Sequence, residues 1–204
     1  MNSKIKVVVC GSTFGQLYLK ALQDRSDLFQ IVGLFGTGSE RSKKCAKEYG
    51  ITLYTDIEKI PKETDLACIA VKTAAFGGKG TDIALALLDK GIHVIQEHPS
   101  HPKDMEQCYR IARKKNLVYH IGNLYPYLED VKQFIKCANY LNDNDELLHI
   151  DVMFSGQLSY PLIKILQLAM PSIQKWEMEK QEKNRWKISN YFVAGWATYQ
   201  SVCK

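Results

Sequence analysis

Along the first 122 residues, short continuous apolar runs alternate with stretches in which apolar side chains recur every three or four positions. A continuous run is the mark of a strand buried on both faces, and the wider spacing is that of a helix with one face against a core. Residues 5–9 are such a run, interrupted by one lysine, and further strands are read at 29–35, 65–71, 93–96 and 117–121, with a weaker strand at 52–54. Helical spacing covers 14–25, 40–49, 81–90 and 102–115; Phe14, Leu17, Tyr18, Ala21 and Leu22, for example, share one face. Gly50 and Gly91 stand where helices would stop, and Pro102 fits a first helical turn.

Strands and helices in this rhythm predict right-handed βαβ units and a parallel sheet covered on both faces, a doubly wound α/β (Rossmann) architecture. After Asn123 the rhythm changes to a helix at 128–141, a polar turn, a strand at 147–154 and a helix at 162–170. The expected division is therefore a dinucleotide-binding domain, 1–122, followed by a partial α+β domain, 123–204. A single strand cannot satisfy its own edges, so this second part needs a partner in the first domain, another chain or further sequence. Residues 191–204 read as the start of one more strand, which makes an unfinished second domain the expectation.

Composition narrows the class. The 204 residues are 46% hydrophobic and 24% charged, with a mean hydropathy of −0.23, as in ordinary globular chains. No apolar run reaches a membrane-spanning length and no signal peptide is visible, so a soluble cytoplasmic protein is expected. Six scattered cysteines without a C-x-x-C pair read as reduced thiols. The net charge of +5 lies wholly in residues 1–122, with 18 Lys and Arg against 13 Asp and Glu. That bias suits a phosphate-rich cofactor or an acidic protein partner. Nucleic acid is not expected, because there is no RNP-like aromatic pattern, zinc-finger spacing or long basic block.

The turn after the first strand, Cys10, Gly11, Ser12, Thr13, Phe14 and Gly15, matches a G-x-G-x-x-G fingerprint only at Gly15. Its context is stronger than its letters, since small residues between a buried strand and a helix leave backbone N–H groups open to a pyrophosphate. An ordinary glycine turn is the competing reading. At the end of the second strand the acid that would favour NAD is replaced by Gly36, Thr37, Gly38, Ser39, Glu40, Arg41 and Ser42. Ser39, Arg41 and Ser42 suit a 2′-phosphate, which points to NADPH; a solvated helix start is the alternative. Thr73, Gly77 and Gly78, in the glycine-rich loop after the third clear strand, are candidates for lining the nicotinamide half, although surface-loop flexibility explains the loop equally well.

The fourth clear strand runs into Gln96, Glu97, His98, Pro99, Ser100, His101 and Pro102. The interleaved prolines hold this segment extended and no further ligands accompany its histidines, so no metal is expected. His98 is better read as an acid or orienting group, with His101 a weaker candidate and Glu97 assigned to the cofactor side; a structural X-Pro corner is the alternative. Tyr125, just past the boundary, is a further candidate proton donor, and interdomain packing is its competing role.

Together, the strand ending in G-[ST]-x-F-G, the G-S-x-R-S run, the glycine-rich loop and above all E-H-P-x-H-P resemble the thiazolinyl imide reductases of siderophore assembly. These are a branch of the glucose-fructose oxidoreductase-like, inositol-dehydrogenase-like (Gfo/Idh/MocA) superfamily. The likeness runs from residue 4 to about residue 195, and includes residues 158–162 through Lys175 and Trp176. His98 replaces the lysine of the superfamily's usual E-K-P, which argues against sugar dehydrogenation. The resemblance implies NADPH-dependent reduction of a thiazoline C=N to a thiazolidine. The substrate would be tethered to an acidic carrier protein of a nonribosomal peptide synthetase, and His98 or Tyr125 would be the proton donor. It also implies a homodimer once an open-faced sheet in the second domain is complete. Residues 196–204 depart from the family pattern. Another small-molecule dehydrogenase of the superfamily and a truncated, non-catalytic dinucleotide-binding module are the alternatives.

Overall fold

A computed structural model describes residues 3–73, 78–144, 149–155, 158–171 and 196–202. The chain forms two compact units, residues 1–122 and 123–204.

The first unit is built on strands β1 (Ile5–Cys10), β2 (Phe29–Phe35), β3 (Leu53–Tyr54), β4 (Leu66–Ile69), β5 (His93–Glu97) and β6 (Tyr119–Gly122). They form one parallel sheet in the order β3-β2-β1-β4-β5-β6. Helices α1 (Gly15–Asp24), α2 (Glu40–Glu48), α3 (Gly80–Asp89) and α4 (Pro102–Lys114) lie along the chain between strands. The order reverses direction between β1 and β4, and right-handed crossovers then send α1 and α2 to one face and α3 and α4 to the other. This is the doubly wound architecture that the hydrophobic pattern predicts. Val7, Val8, Val9 and Cys10 are all fully buried, which is why β1 reads as an unbroken apolar run. On one face Leu19 and Leu22 of α1 and Cys45 and Ala46 of α2 close over Val7, Val9, Leu34 and Cys68. Gly50 and Gly91 follow α2 and α3 at φ +63° and +86°, the left-handed stop expected of a glycine there.

The second unit holds helix α5 (Glu129–Asp143), strand β7 (His149–Ser155), helix α6 (Ser159–Ala169) and strand β8 (Trp196–Val202). Ala138 of α5 packs with Leu166, Ala169 and Met170, joined by Ile135, Val152 and Leu162. The further strand that the sequence pattern reads at the end of the chain is present as β8. β8 pairs antiparallel with β7, from His149 opposite Val202 to Ser155 opposite Trp196.

Candidate functional site

In an open parallel sheet, ligands bind at the carboxyl ends of the strands, where the strand order reverses. Here that place lies between β1 and β4, and most of the candidate residues of the first unit gather along this edge. Gly11 follows β1 with φ +102°, and its N–H donates to Phe35 O at 2.9 Å. A Cβ on Gly11 would lie 2.8 Å from Ala70 O, so the end of β4 closes against bare backbone. Gly15 lets α1 approach β1, since a Cβ there would meet Val9 at 3.1 Å. Ser12 is buried and its carbonyl accepts from the Gln16 side chain at 2.8 Å, while Thr13 and Phe14 are exposed. Phe14 starts α1 without a side-chain cap, so the first helical N–H groups are not taken by a hydroxyl or carboxylate of the cap residue. This turn fits a dinucleotide pyrophosphate: two glycines let the turn and α1 pack closely on β1 and β4, and α1 directs its dipole to the carboxyl edge.

At the end of β2, Ser39 caps α2, and its Oγ accepts from the Ser42 N–H at 3.4 Å. Ser42 is buried, and its own hydroxyl donates to Ser39 O at 2.8 Å. Glu40 is engaged by Lys43 at 2.8 Å. Arg41 stays exposed, and no ion pair or side-chain hydrogen bond among the described residues occupies it.

On the other side of the switch point the polar side chains are tied to one another and to the main chain. The Thr73 hydroxyl, buried, donates to Pro99 O at 2.6 Å and pins the loop after β4 to the corner after β5. Fully buried Gln96 donates to Ser100 Oγ at 3.4 Å and accepts from the Tyr119 hydroxyl at 2.7 Å. The corner itself contains a cis bond between His98 and Pro99. Glu97 Oε2 accepts from the Tyr18 hydroxyl of α1 at 2.5 Å, and Glu97 Oε1 lies 3.3 Å from His98 Nε2. The two side chains are only 14% and 9% exposed. Burial therefore raises the pKa of Glu97, against the opposing pull of the Tyr18 hydroxyl and the His98 N–H, and lowers that of His98.

The remaining candidates separate. His101 is the N-cap of α4, its Nδ1 accepting from the Lys103 N–H at 3.2 Å, a role the sequence pattern did not suggest. Gly78 packs tightly against the Lys72 main chain, and Gly77 lies outside the described residues. Tyr125 opens the short turn Tyr125–Tyr127 of the second unit. Sequence reasoning missed Tyr18, Gln96, Ser100 and Tyr119. A signal was present for Tyr18, because a tyrosine on the buried stripe of a helix needs a partner for its hydroxyl.

Burial pushes the thiols upward, Cys68 to about 12 and Cys108 to about 11, so both stay protonated and unreactive at neutral pH. Among the described residues, no three His, Cys, Asp or Glu side chains are arranged to hold a metal ion, and no helix is long and apolar enough to cross a membrane.

Known structures share this fold. GenD2 from gentamicin A biosynthesis, solved in complex with NAD, superimposes with a TM-score of 0.68 at 14% identity, over 86% of this chain and 55% of its own. Biliverdin reductase from Synechocystis, solved with biliverdin and NADP+, gives 0.60 at 18% identity over 88% and 60%. UDP-N-acetylglucosamine 3-dehydrogenase GnnA from Acidithiobacillus ferrooxidans gives 0.55 at 20% identity over 68% and 44%. The chain thus spans about half the length of these similar structures. No curated protein sequence matches it. The family model for oxidoreductases with an NAD-binding Rossmann fold matches residues 5–123, more than half of the chain, and the protein belongs to this Gfo/Idh/MocA family of oxidoreductases.

Proposed function

We propose that the chain serves an NADPH-dependent reductase that converts a thiazoline C=N to a thiazolidine on a carrier-protein-tethered intermediate of nonribosomal siderophore biosynthesis. The observation that carries the reading is the E-H-P-x-H-P corner. It sets a half-buried His98 beside Glu97 at the carboxyl edge, where the family's usual E-K-P would set a lysine. When bound, the nicotinamide supplies a hydride to the imine carbon, and the ring nitrogen then needs one proton and no metal. His98, or Tyr125 of the second unit, supplies that proton. Glu97 orients the histidine, whose side chain is largely buried.

The preference for NADPH rests on the end of β2, where exposed Arg41 beside the Ser39 cap offers a planar fork to a 2′-phosphate and the neighbouring Glu40 is engaged by Lys43. The excess positive charge of residues 1–122 suits docking of an acidic carrier protein. A homodimer formed through the second domain is part of the same reading.

NADPH oxidation on a carrier-bound thiazoline tests the proposal. Turnover is expected with the wild type and a large loss in His98→Ala or Tyr125→Phe; full activity in both variants would remove the proton-donor assignment. One observation favours a second reading, oxidation of an alcohol by another small-molecule dehydrogenase of the family. Burial keeps His98 neutral at pH 7, and a neutral imidazole is a proton acceptor. Alcohol oxidation without imine reduction in a substrate screen would select it.

A further inference from the structure

Three groups from three elements meet at the carboxyl edge of the first unit. Tyr18 comes from the second turn of α1, Glu97 from the last position of β5 and His98 from the residue after it. The Tyr18 hydroxyl donates to Glu97 Oε2 at 2.5 Å, and the other carboxylate oxygen faces His98 Nε2 at 3.3 Å. β6 leaves room for the pair by placing a glycine opposite it. A Cβ on Gly122 would lie 2.7 Å from the Tyr18 hydroxyl and 3.4 Å from Glu97 Oε2. Phe14, from the dinucleotide turn, sets its ring edge-on to Tyr18 with centroids 6.4 Å apart.

We propose that Tyr18 is a positioning residue for His98, acting through Glu97. A carboxylate that accepts a hydroxyl proton on one oxygen cannot rotate freely, so its second oxygen stays aimed at the imidazole. It is an acceptor there, which selects the tautomer carrying its proton on Nε2. Ionisable groups that face Glu97 include Tyr18 from α1, with Cys68 of β4 acting electrostatically on that tyrosine, and His98 itself; from β6, Gly122 lies against the pair. The link also joins the helix that opens the dinucleotide turn to the corner that carries the histidine. The catalytic consequence rests on the reading of His98 as the proton-transfer group, whereas the tautomer selection stands independently of it.

The test is 15N NMR of the imidazoles in the full chain without substrate, with the His98 signals assigned by their loss in His98→Asn. Wild type is expected to show one Nε2-protonated form above its titration range, and Tyr18→Phe a mixture of the two tautomers with a displaced midpoint. An unchanged tautomer and midpoint in Tyr18→Phe overturn the proposal. A second measurement needs no variant: with 13Cζ-labelled tyrosine, the Tyr18 ring carbon is expected to move with the His98 midpoint, and a flat profile overturns the link. In turnover, Tyr18→Phe is expected to lower kcat by about tenfold, the worth of one hydrogen bond to a charged group, with NADPH affinity held within about twofold. Tighter or weaker NADPH binding with unchanged kcat would instead mark Tyr18 as a packing residue of the dinucleotide turn. Full activity in His98→Asn would remove the role of His98 and leave the NMR result to decide the Tyr18 link.

Discussion

The two sides of the sheet's carboxyl edge are made of different material. Around β1 and β2 the edge is built mainly of close-packed main chain: glycines at positions 11 and 15, an α1 without a side-chain cap and Arg41, which no ion pair occupies among the described residues. Around β4 and β5 nearly every polar side chain is tied to another element, as Thr73 is to Pro99, Gln96 to Ser100 and Tyr119, and Glu97 to Tyr18. The contrast matches what the proposed function asks of each side. A pyrophosphate is met by backbone N–H groups, which requires the absence of side chains, whereas proton transfer requires a side chain held at one place and in one tautomer.

That contrast can be broken by substitution. The largest effect is expected from Gly11→Ala, where a positive φ and the Ala70 carbonyl both oppose a side chain. Denaturant unfolding should show a loss of about 3 kcal/mol together with loss of dinucleotide binding. Gly91→Ala is the comparison. It has a positive φ with nothing within 4 Å, so it should cost about 1 kcal/mol and leave binding intact. On the opposite side, Gln96→Leu removes both of that residue's buried hydrogen bonds and should cost about 2 kcal/mol while leaving NADPH affinity nearly unchanged. If it weakened NADPH binding as strongly as Gly11→Ala, the two sides would not be separable.

Smaller effects sharpen the distinction. Arg41→Ala should weaken NADPH by about tenfold and leave NADH unaltered, as read by cofactor fluorescence titration. Equal losses for the two cofactors would remove the case for a 2′-phosphate site. The smallest effect concerns pH. His98 binds its proton less readily in the folded chain than in the unfolded one, so the unfolded state takes up more protons as pH falls through about 6.5, and stability declines there. Glu97 is shifted the other way by burial; the folded state holds its proton more readily, which favours folding as pH falls toward the carboxylate range. Thermal melts across this interval should therefore show a shallower acid decline in His98→Asn than in wild type. An identical slope would mean that His98 is not the group responsible.

How much of this could be read in advance differs by element. The strand β1 was legible because Val7 to Cys10 are fully buried, so its apolar run is nearly unbroken, whereas β2 and β5 were read from shorter apolar stretches interrupted by Gln30 and Gln96. β3 is two residues long and was visible only as a weak signal, since its place depends on pairing with Leu34 and Phe35. The need for glycine at position 11 was hidden. Alignment to a G-x-G-x-x-G pattern passes over it, and only the approach of Ala70 O shows why a side chain is refused there. Ser42 looked available for a phosphate because its letter says hydroxyl; folding turns that hydroxyl back onto Ser39. His101 looked like a second reactive histidine, and the first turn of α4 uses it as a cap. In both residues a local backbone group engages the side chain, a contact that composition alone does not show.

The sequence by itself determined the doubly wound first unit, because strand and helix periodicities are local and each short run carries its own burial pattern. It also determined that the edge would hold a glycine turn and a histidine corner. The tertiary structure alone decided which of those polar groups remain available and which are consumed. Tyr18 and Glu97 are 79 residues apart in the chain and meet only when α1 and β5 are brought to the same edge. Hydrogen bonds between distant elements leave no periodic trace in a sequence, so the setting of His98 could be read only after folding.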